Sequence, residues 1–314
     1  MSREEILIRS SVDGTMQKAL LYAAEGTEPR PLVVALHTWS FGCEQNHNAY
    51  RDEAAARNWH MIYPHFRGKN TNPEALCSDM AVGDIADAVA WAKEHLAVDP
   101  DRIYLIGGSG GGMSTLMLAG RHPELWTACS SWCPISDVAA WHDETIADSR
   151  FSCYAGNIEA ACGGNPAENE AARAEALRRS PITWLGNAAG LTLDIATGIH
   201  DGHTGSVPVR QAMNAYNLLA AETDRFSTED IEYICRNEAI PHHLQAENEQ
   251  DPSYGTRVIH LRRSSGSVRL TLFEGGHDWI PFAAFDFFER QVRGAAPDWS
   301  PGTASAGGST GLSR

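Results

Sequence analysis

The chain has 314 residues, 43% of them hydrophobic, enough for one large α/β domain or two small ones with a sizeable core. Forty acidic against 25 basic residues leave a formal net charge of −15, which argues against nucleic acid and an anionic membrane surface as partners. No apolar run reaches the roughly 18 residues of a membrane span, and Met1-Ser2-Arg3-Glu4-Glu5 leads into a strand-like segment without a signal-peptide core, so a cytoplasmic location is expected.

Residues 5–9 and 15–22 read as two strands joined by the turn Val12-Asp13-Gly14, a hairpin at a sheet edge. Leu32-Val33-Val34-Ala35-Leu36-His37 is a continuous apolar run, the mark of a central parallel strand buried on both faces. It leads into Thr38-Trp39-Ser40-Phe41-Gly42. A helix is expected over Ala49–Asn58, then a short strand at Met61-Ile62-Tyr63 and a polar loop over 64–73 carrying Arg67 and Asn70. Ser78 caps the next helix, whose apolar face is Ile85, Val89, Ala92 and Leu96, with Asp84 and Asp87 on another face.

Arg102 to Ile106 then reads as a strand, and Gly107-Gly108-Ser109-Gly110-Gly111-Gly112 as the turn out of it. Met113, Leu116, Met117 and Gly120 follow with helical spacing. Gly107-x-Ser109-x-Gly111 thus sits between a strand and a helix, the context that marks a nucleophile elbow. Beyond it come a strand over 126–132, an irregular helix-rich stretch over 134–190 expected as a lid or cap, and a strand over 191–198. A helix over 209–221, a polar insertion over 222–266, a strand over 268–273 and a helix over 281–292 complete the domain. A tail over 294–314, rich in Gly, Ser, Ala and Pro, is expected to be disordered. Alternating strands and helices predict an α/β fold in one domain over 1–293, with a mostly parallel sheet and helices on both faces.

A serine hydroxyl needs a base, and in open parallel sheets active groups gather at the carboxyl ends of strands. His277, in Phe273-Glu274-Gly275-Gly276-His277-Asp278-Trp279 after the last strand, is the candidate base among 13 histidines. Asp201, after the 191–198 strand, is the candidate partner of the imidazole; Asp194 falls too early and Asp251 is the weaker alternative. The order Ser109, Asp201, His277 is the Ser…Asp…His order of hydrolases. An oxyanion hole needs two N–H donors, one expected from Gly110 and one from Thr38 or Trp39. Arg67 and Asn70 are placed where a substrate can be held. Trp39, Trp132 and Trp141 are candidate platforms for a sugar ring, with core packing as the competing reading. His200-x-x-His203 and His242-His243 lack a third ligand of suitable spacing, so no metal or other cofactor is expected. The seven cysteines, without a metal-type C-x-x-C pair, are expected mostly reduced and buried, and a Cys43–Cys77 bridge is left open.

Together these residues resemble the α/β-hydrolase superfamily over most of residues 30–293. The Asp201 segment with Val207-Pro208 and the Phe273–His277 segment resemble its prolyl-oligopeptidase-like branch, which holds peptidases and carbohydrate esterases such as acetyl xylan and feruloyl esterases. Two departures stand out. His37-Thr38-Trp39 replaces the His-Gly-Gly of many members. Five residues separate Asp201 from Val207, where the peptidase pattern has two. The resemblance implies a serine esterase acting through an acyl-enzyme on a small-molecule or carbohydrate ester, the chain having no room for the oligopeptidases' β-propeller. A peptidase or aminopeptidase of the same mechanism is the enzyme alternative, and a non-catalytic binding module on this fold the other. Self-association is left open.

Overall fold

The computed structural model describes residues 2–245 and 250–304. Its centre is one sheet with strands β1 (Arg3–Arg9), β2 (Met16–Tyr22), β3 (Arg30–Leu36), β4 (His60–Pro64), β5 (Val98–Gly108), β6 (Ala128–Trp132), β7 (Thr192–Gly198), β8 (Ile259–Ser265) and β9 (Val268–Phe273). The strand order is β1-β2-β4-β3-β5-β6-β7-β9-β8. Every pairing from β4 through β9 is parallel, and only the edges, β1–β2–β4 and β9–β8, are antiparallel.

The apolar runs read as buried strands because their alternate residues feed two cores. Along β3, Leu32, Val34 and Leu36 face one side while Val33 and Ala35 face the other. β5 does the same with Ile103 and Leu105 against Tyr104 and Ile106. Helices α2 (Asp79–His95), α3 (Gly110–Arg121) and α7 (Arg210–Leu219) cover the first face with residues such as Ile85, Leu116 and Met213. α1 (Asn48–Arg57) and α9 (Pro281–Glu289) cover the second with Tyr50, Ala54, Phe285 and Phe288. Ser78 caps α2 as read from the sequence, accepting from Ala81 N–H.

The chain leaves β3 for β4 on one side and then returns to β5 on the other. This reversal opens a crevice at the carboxyl ends of β3 and β5, where open α/β sheets bind ligands. The 134–190 stretch packs beside that crevice as α4 (Val138–Ile146), α5 (Ser152–Cys162) and α6 (Glu170–Arg178). It is tied to the domain at several points. Gln211 Oε1 on α7 accepts from the N–H groups of Ser136 and Asp137, and Trp141 Nε1 donates to Ser206 O at 2.8 Å. Arg179 donates to the carbonyls of Pro73, Ala75 and Leu76.

Two expectations need correction, and one open question closes. The 222–266 insertion contains α8 (Thr228–Asn237) and an edge strand, β8, whose exposed outer side gave it a mixed pattern that hid it. Residues 294–304 pack on the domain. Trp299 stacks on Phe287 with ring centres 5.5 Å apart, and Gly302 N–H donates to buried Asp251. The rest of the expected tail, 305–314, lies outside the described residues. Cys43 and Cys77 belong to opposite faces of the sheet, so no bridge joins them, and all seven cysteines are free.

Candidate active site

Ser109 lies between β5 and α3 with φ 58° and ψ −123°. A non-glycine residue in that region stores strain, and such strain gathers where a side chain must be presented rather than packed. The strand and helix close on each other tightly: a Cβ at Gly107 would run into the Gly111 carbonyl, and one at Gly111 would lie 2.6 Å from Leu36 O. Ser109 N–H donates to Trp132 O, which fastens the turn to β6. Its hydroxyl makes no hydrogen bond among the described residues.

Asp201 follows β7 and His277 follows β9. His277 Nδ1 lies 2.7 Å from Asp201 Oδ2, with the carboxylate fully buried. Asp201 Oδ1 accepts from the N–H groups of Gly202 and Val207 at 3.0 and 3.2 Å. The five residues between Asp201 and Val207 therefore form a loop that folds back onto the carboxylate. The rival carboxylates are engaged elsewhere: Asp194 with Arg269 and Asp251 with Arg262, each at 2.8 Å. His277 Nε2 is buried and has no hydrogen-bond partner among the described residues. That is the arrangement of a base waiting for a proton donor, with its other nitrogen already held.

Cys133, after β6, sits between the serine's strand and the Asp–His pair, and its role was not read from the sequence. Its sulfur lies within 4.8 Å of ligand atoms of Asp201 and His277 and donates to Asp278 O at 3.0 Å. Burial pushes its thiol well above the usual range, so it stays protonated. The signal available was its position at the carboxyl end of a central strand.

The oxyanion candidates separate. Thr38 N–H is already spent on Gln45 Oε1 at 2.8 Å. The N–H groups of Trp39 and Gly110 have no acceptor among the described residues. The Trp39 nitrogen lies 2.6 Å from where a Gly110 Cβ would stand. Of Thr38 and Trp39, Trp39 is the one whose backbone N–H is left without an acceptor among the described residues. His37, just before them, is buried, stacks on Phe66, and places its two ring nitrogens against the carbonyls of Thr38 and His65. Burial lowers its pKa to about 4, and the neutral imidazole, with a single N–H, donates to one of these two carbonyls.

The other sequence candidates resolve as follows. Arg67 is not a substrate residue: its guanidinium pairs with Asp84 at 2.6 Å and Asp13 at 2.8 Å and is 4% exposed. Asp84, read as lying on a face apart from the apolar one, is that buried partner. Trp132 is 0% exposed, packed on Tyr254 and Phe273, and offers no platform to a ligand. Trp39 and Trp141 are buried against each other and Tyr154, which joins the β3 loop to α4 and α5. Core packing wins for all three tryptophans. Asn70 Nδ2 lies 3.1 Å from where a Gly110 Cβ would stand. His200 bridges Glu238 and Glu274, His203 shares Glu238 at 3.6 Å, and His243 meets Asp230, so the two histidine motifs meet different carboxylates.

A parallel sheet with a strained serine after β5, an aspartate after β7 and a histidine after β9 is the α/β-hydrolase arrangement. The sequence profile of the prolyl oligopeptidase family matches residues 47–231, more than half the chain, and the chain belongs to that family. It is 28% identical to an acetylxylan esterase of Coprinopsis cinerea over 124 residues, 36% of this chain and 33% of that protein. It is 25% identical to poly(3-hydroxyalkanoate) depolymerase C of Paucimonas lemoignei over 193 residues, 57% of this chain and 38% of that one. The matched stretch thus spans about a third to two fifths of these relatives' length. Among solved structures, Pyrococcus horikoshii acylaminoacyl peptidase superposes with a TM-score of 0.63 at 15% identity, over 95% of this chain and 43% of that one. At that identity the likeness shows the fold alone. No helix among the described residues is long and apolar enough to cross a membrane.

Proposed function

We propose that this chain is a serine hydrolase that cleaves carboxylic esters of small acyl groups through a covalent acyl-enzyme. The observation that carries the reading is the strained Ser109 at the carboxyl edge shared with the Asp201–His277 hydrogen bond. Ser109 Oγ attacks the ester carbonyl carbon while His277 Nε2 takes the hydroxyl proton. Asp201 holds Nδ1–H and stabilises the imidazolium that forms. The carbonyl π pair moves to oxygen, where the N–H groups of Gly110 and Trp39 receive it at the positive end of α3. Collapse expels the alcohol, which takes the proton from His277. Water then attacks the acyl-serine by the same route and frees the acid. This chemistry draws on no cofactor.

An ester is favoured over an amide by the names of the curated relatives, an acetylxylan esterase and a polyester depolymerase. With the three tryptophans buried, a saccharide alcohol rests on the first of those names alone. The test pairs a fluorophosphonate probe with p-nitrophenyl acetate and an amino-acyl nitroanilide, on wild type and Ser109→Ala. The expected result is labelling that depends on Ser109, acetate cleaved and anilide intact. Anilide cleavage moves the assignment to a peptidase. A folded wild type that is not labelled moves it to a binding module.

A further inference from the structure

The loop over residues 65–78, between β4 and α2, holds one side chain in an unusual state. Asn70 is 1% exposed. Its backbone N–H donates to Trp39 O at 2.9 Å, and its Oδ1 accepts from Leu76 N–H at 2.8 Å. The second bond fixes which end of the amide is which, because the reversed group would set NH2 against a backbone donor. The Asn70 Nδ2 then lies 3.1 Å from the position a Gly110 Cβ would take, beside the Trp39 nitrogen, and has no hydrogen-bond partner among the described residues. A buried NH2 without an acceptor costs about 1–3 kcal/mol.

The surrounding loop is constructed to keep it there. Arg67, Leu76 and Cys77 hold φ values of 72°, 47° and 53°, a region that side chains disfavour. The buried Arg67–Asp84 pair anchors one end, and Arg179 binds the carbonyls of Pro73, Ala75 and Leu76 at the other. The Trp39 N–H and the Asn70 NH2, from two segments and without an acceptor among the described residues, thus lie 2.6 and 3.1 Å from one point beside Gly110.

We infer that the Asn70 side-chain amide is a third donor of the oxyanion hole, a catalytic residue that touches the reacting carbonyl oxygen. The inference rests on the serine-hydrolase reading. As Ser109 Oγ bonds to the carbonyl carbon, the π pair passes to the oxygen and an Asn70 N–H receives it without giving up its proton. The same oxygen is neutral in the bound ester, so the contact strengthens only as charge develops and lowers the barrier rather than KM.

The deciding variant is Asn70→Asp. It keeps the shape and an oxygen for Leu76 N–H, and replaces the donor with an anion. Asn70→Ala removes both. Each is compared with wild type in p-nitrophenyl acetate turnover, in the rate of fluorophosphonate labelling (the P=O oxygen takes the oxyanion position) and in melting temperature. Expected for both variants is a fall of about 10²–10³-fold in kcat and in labelling rate, with KM within about threefold. An Asn70→Asp protein that labels and turns over within about threefold of wild type overturns the role of Asn70 alone. So does a loss confined to melting temperature. If Asn70→Asp does not fold, the two rates of folded Asn70→Ala decide in the same way. A folded wild type that is not labelled overturns the serine-hydrolase reading, and this inference with it.

Discussion

At the residue scale the site is shaped as much by missing side chains as by present ones. Gly205 shows it. A Cβ there would run into Asp201 Oδ1 and His277 Cβ together, so the aspartate–histidine pair closes only over a glycine. Gly205→Ala is expected to keep the fold and to push carboxylate and imidazole apart. A displacement of about 1 Å at a catalytic group costs on the order of 10²-fold, so ester turnover should fall by about that much. Turnover measured beside a melting curve checks it, and a fully active Gly205→Ala protein contradicts the geometry. Asp201→Asn should cost more, roughly 10³–10⁴-fold, by favouring the wrong imidazole tautomer. The same measurement decides it.

At the element scale, α4 and α5 are joined to the site by aromatic contacts. Trp141 on α4 lies 4.8 Å, ring centre to ring centre, from Trp39 in the loop after β3, and its indole N–H holds Ser206 O in the loop after β7. Trp141→Phe keeps a ring in the cluster and orphans that carbonyl. The expected cost is about 1–2 kcal/mol, read as a drop of a few degrees in melting temperature. An unchanged melting temperature would show that the contact holds nothing. Glu144, also on α4, lies against Gln211 and Arg210 of α7, and burial pushes its pKa up to about 7. The unfolded side chain ionises near 4.5 and the folded one only near 7. The folded state therefore binds more protons between those values, and stability falls as pH rises through them. Glu144→Gln removes that loss. It should stabilise the protein by up to about 3 kcal/mol at pH 8 and change little at pH 4.5, read from urea midpoints at both values.

At the scale of the whole molecule, acid acts through buried histidines. His37 is neutral in the fold with a pKa near 4, and His47, His60 and His65 are lowered as well, all chiefly by burial. Unfolded histidines take up protons near 6.5. The unfolded state thus binds more protons over roughly pH 4 to 6.5, and stability falls as pH drops through that window. His37 alone accounts for about 3 kcal/mol of it. Urea midpoints for Glu144→Gln, which lacks the opposing carboxylate, should decline steadily from pH 7 to 4.5. A flat profile would contradict the buried neutral state of His37.

How much of this was legible in the sequence follows from what is local. The elbow, the buried strands and the positions of Asp201 and His277 at strand ends rest on apolar runs, glycine clusters and element order, which chain-local sterics and solvation set. The antiparallel β8 was missed because an edge strand has only one buried face, and its pattern blends with the loops around it. Residues 294–304 read as a tail by composition, yet Trp299 stacks on Phe287 and lies over Arg269, two residues that the tertiary fold alone brings to it. The sequence supplied the chemistry at each strand end and the order in which it comes. It could not say that the tryptophans are sealed in the core, that Arg67 is spent on Asp84, or that Thr38 N–H is taken and Trp39 N–H free. Nor could it show that the Asn70 NH2 lies beside Gly110 without an acceptor among the described residues. Which donors stay unsatisfied depends on every neighbour arriving from a distant part of the chain, and only the assembled structure brings those neighbours together.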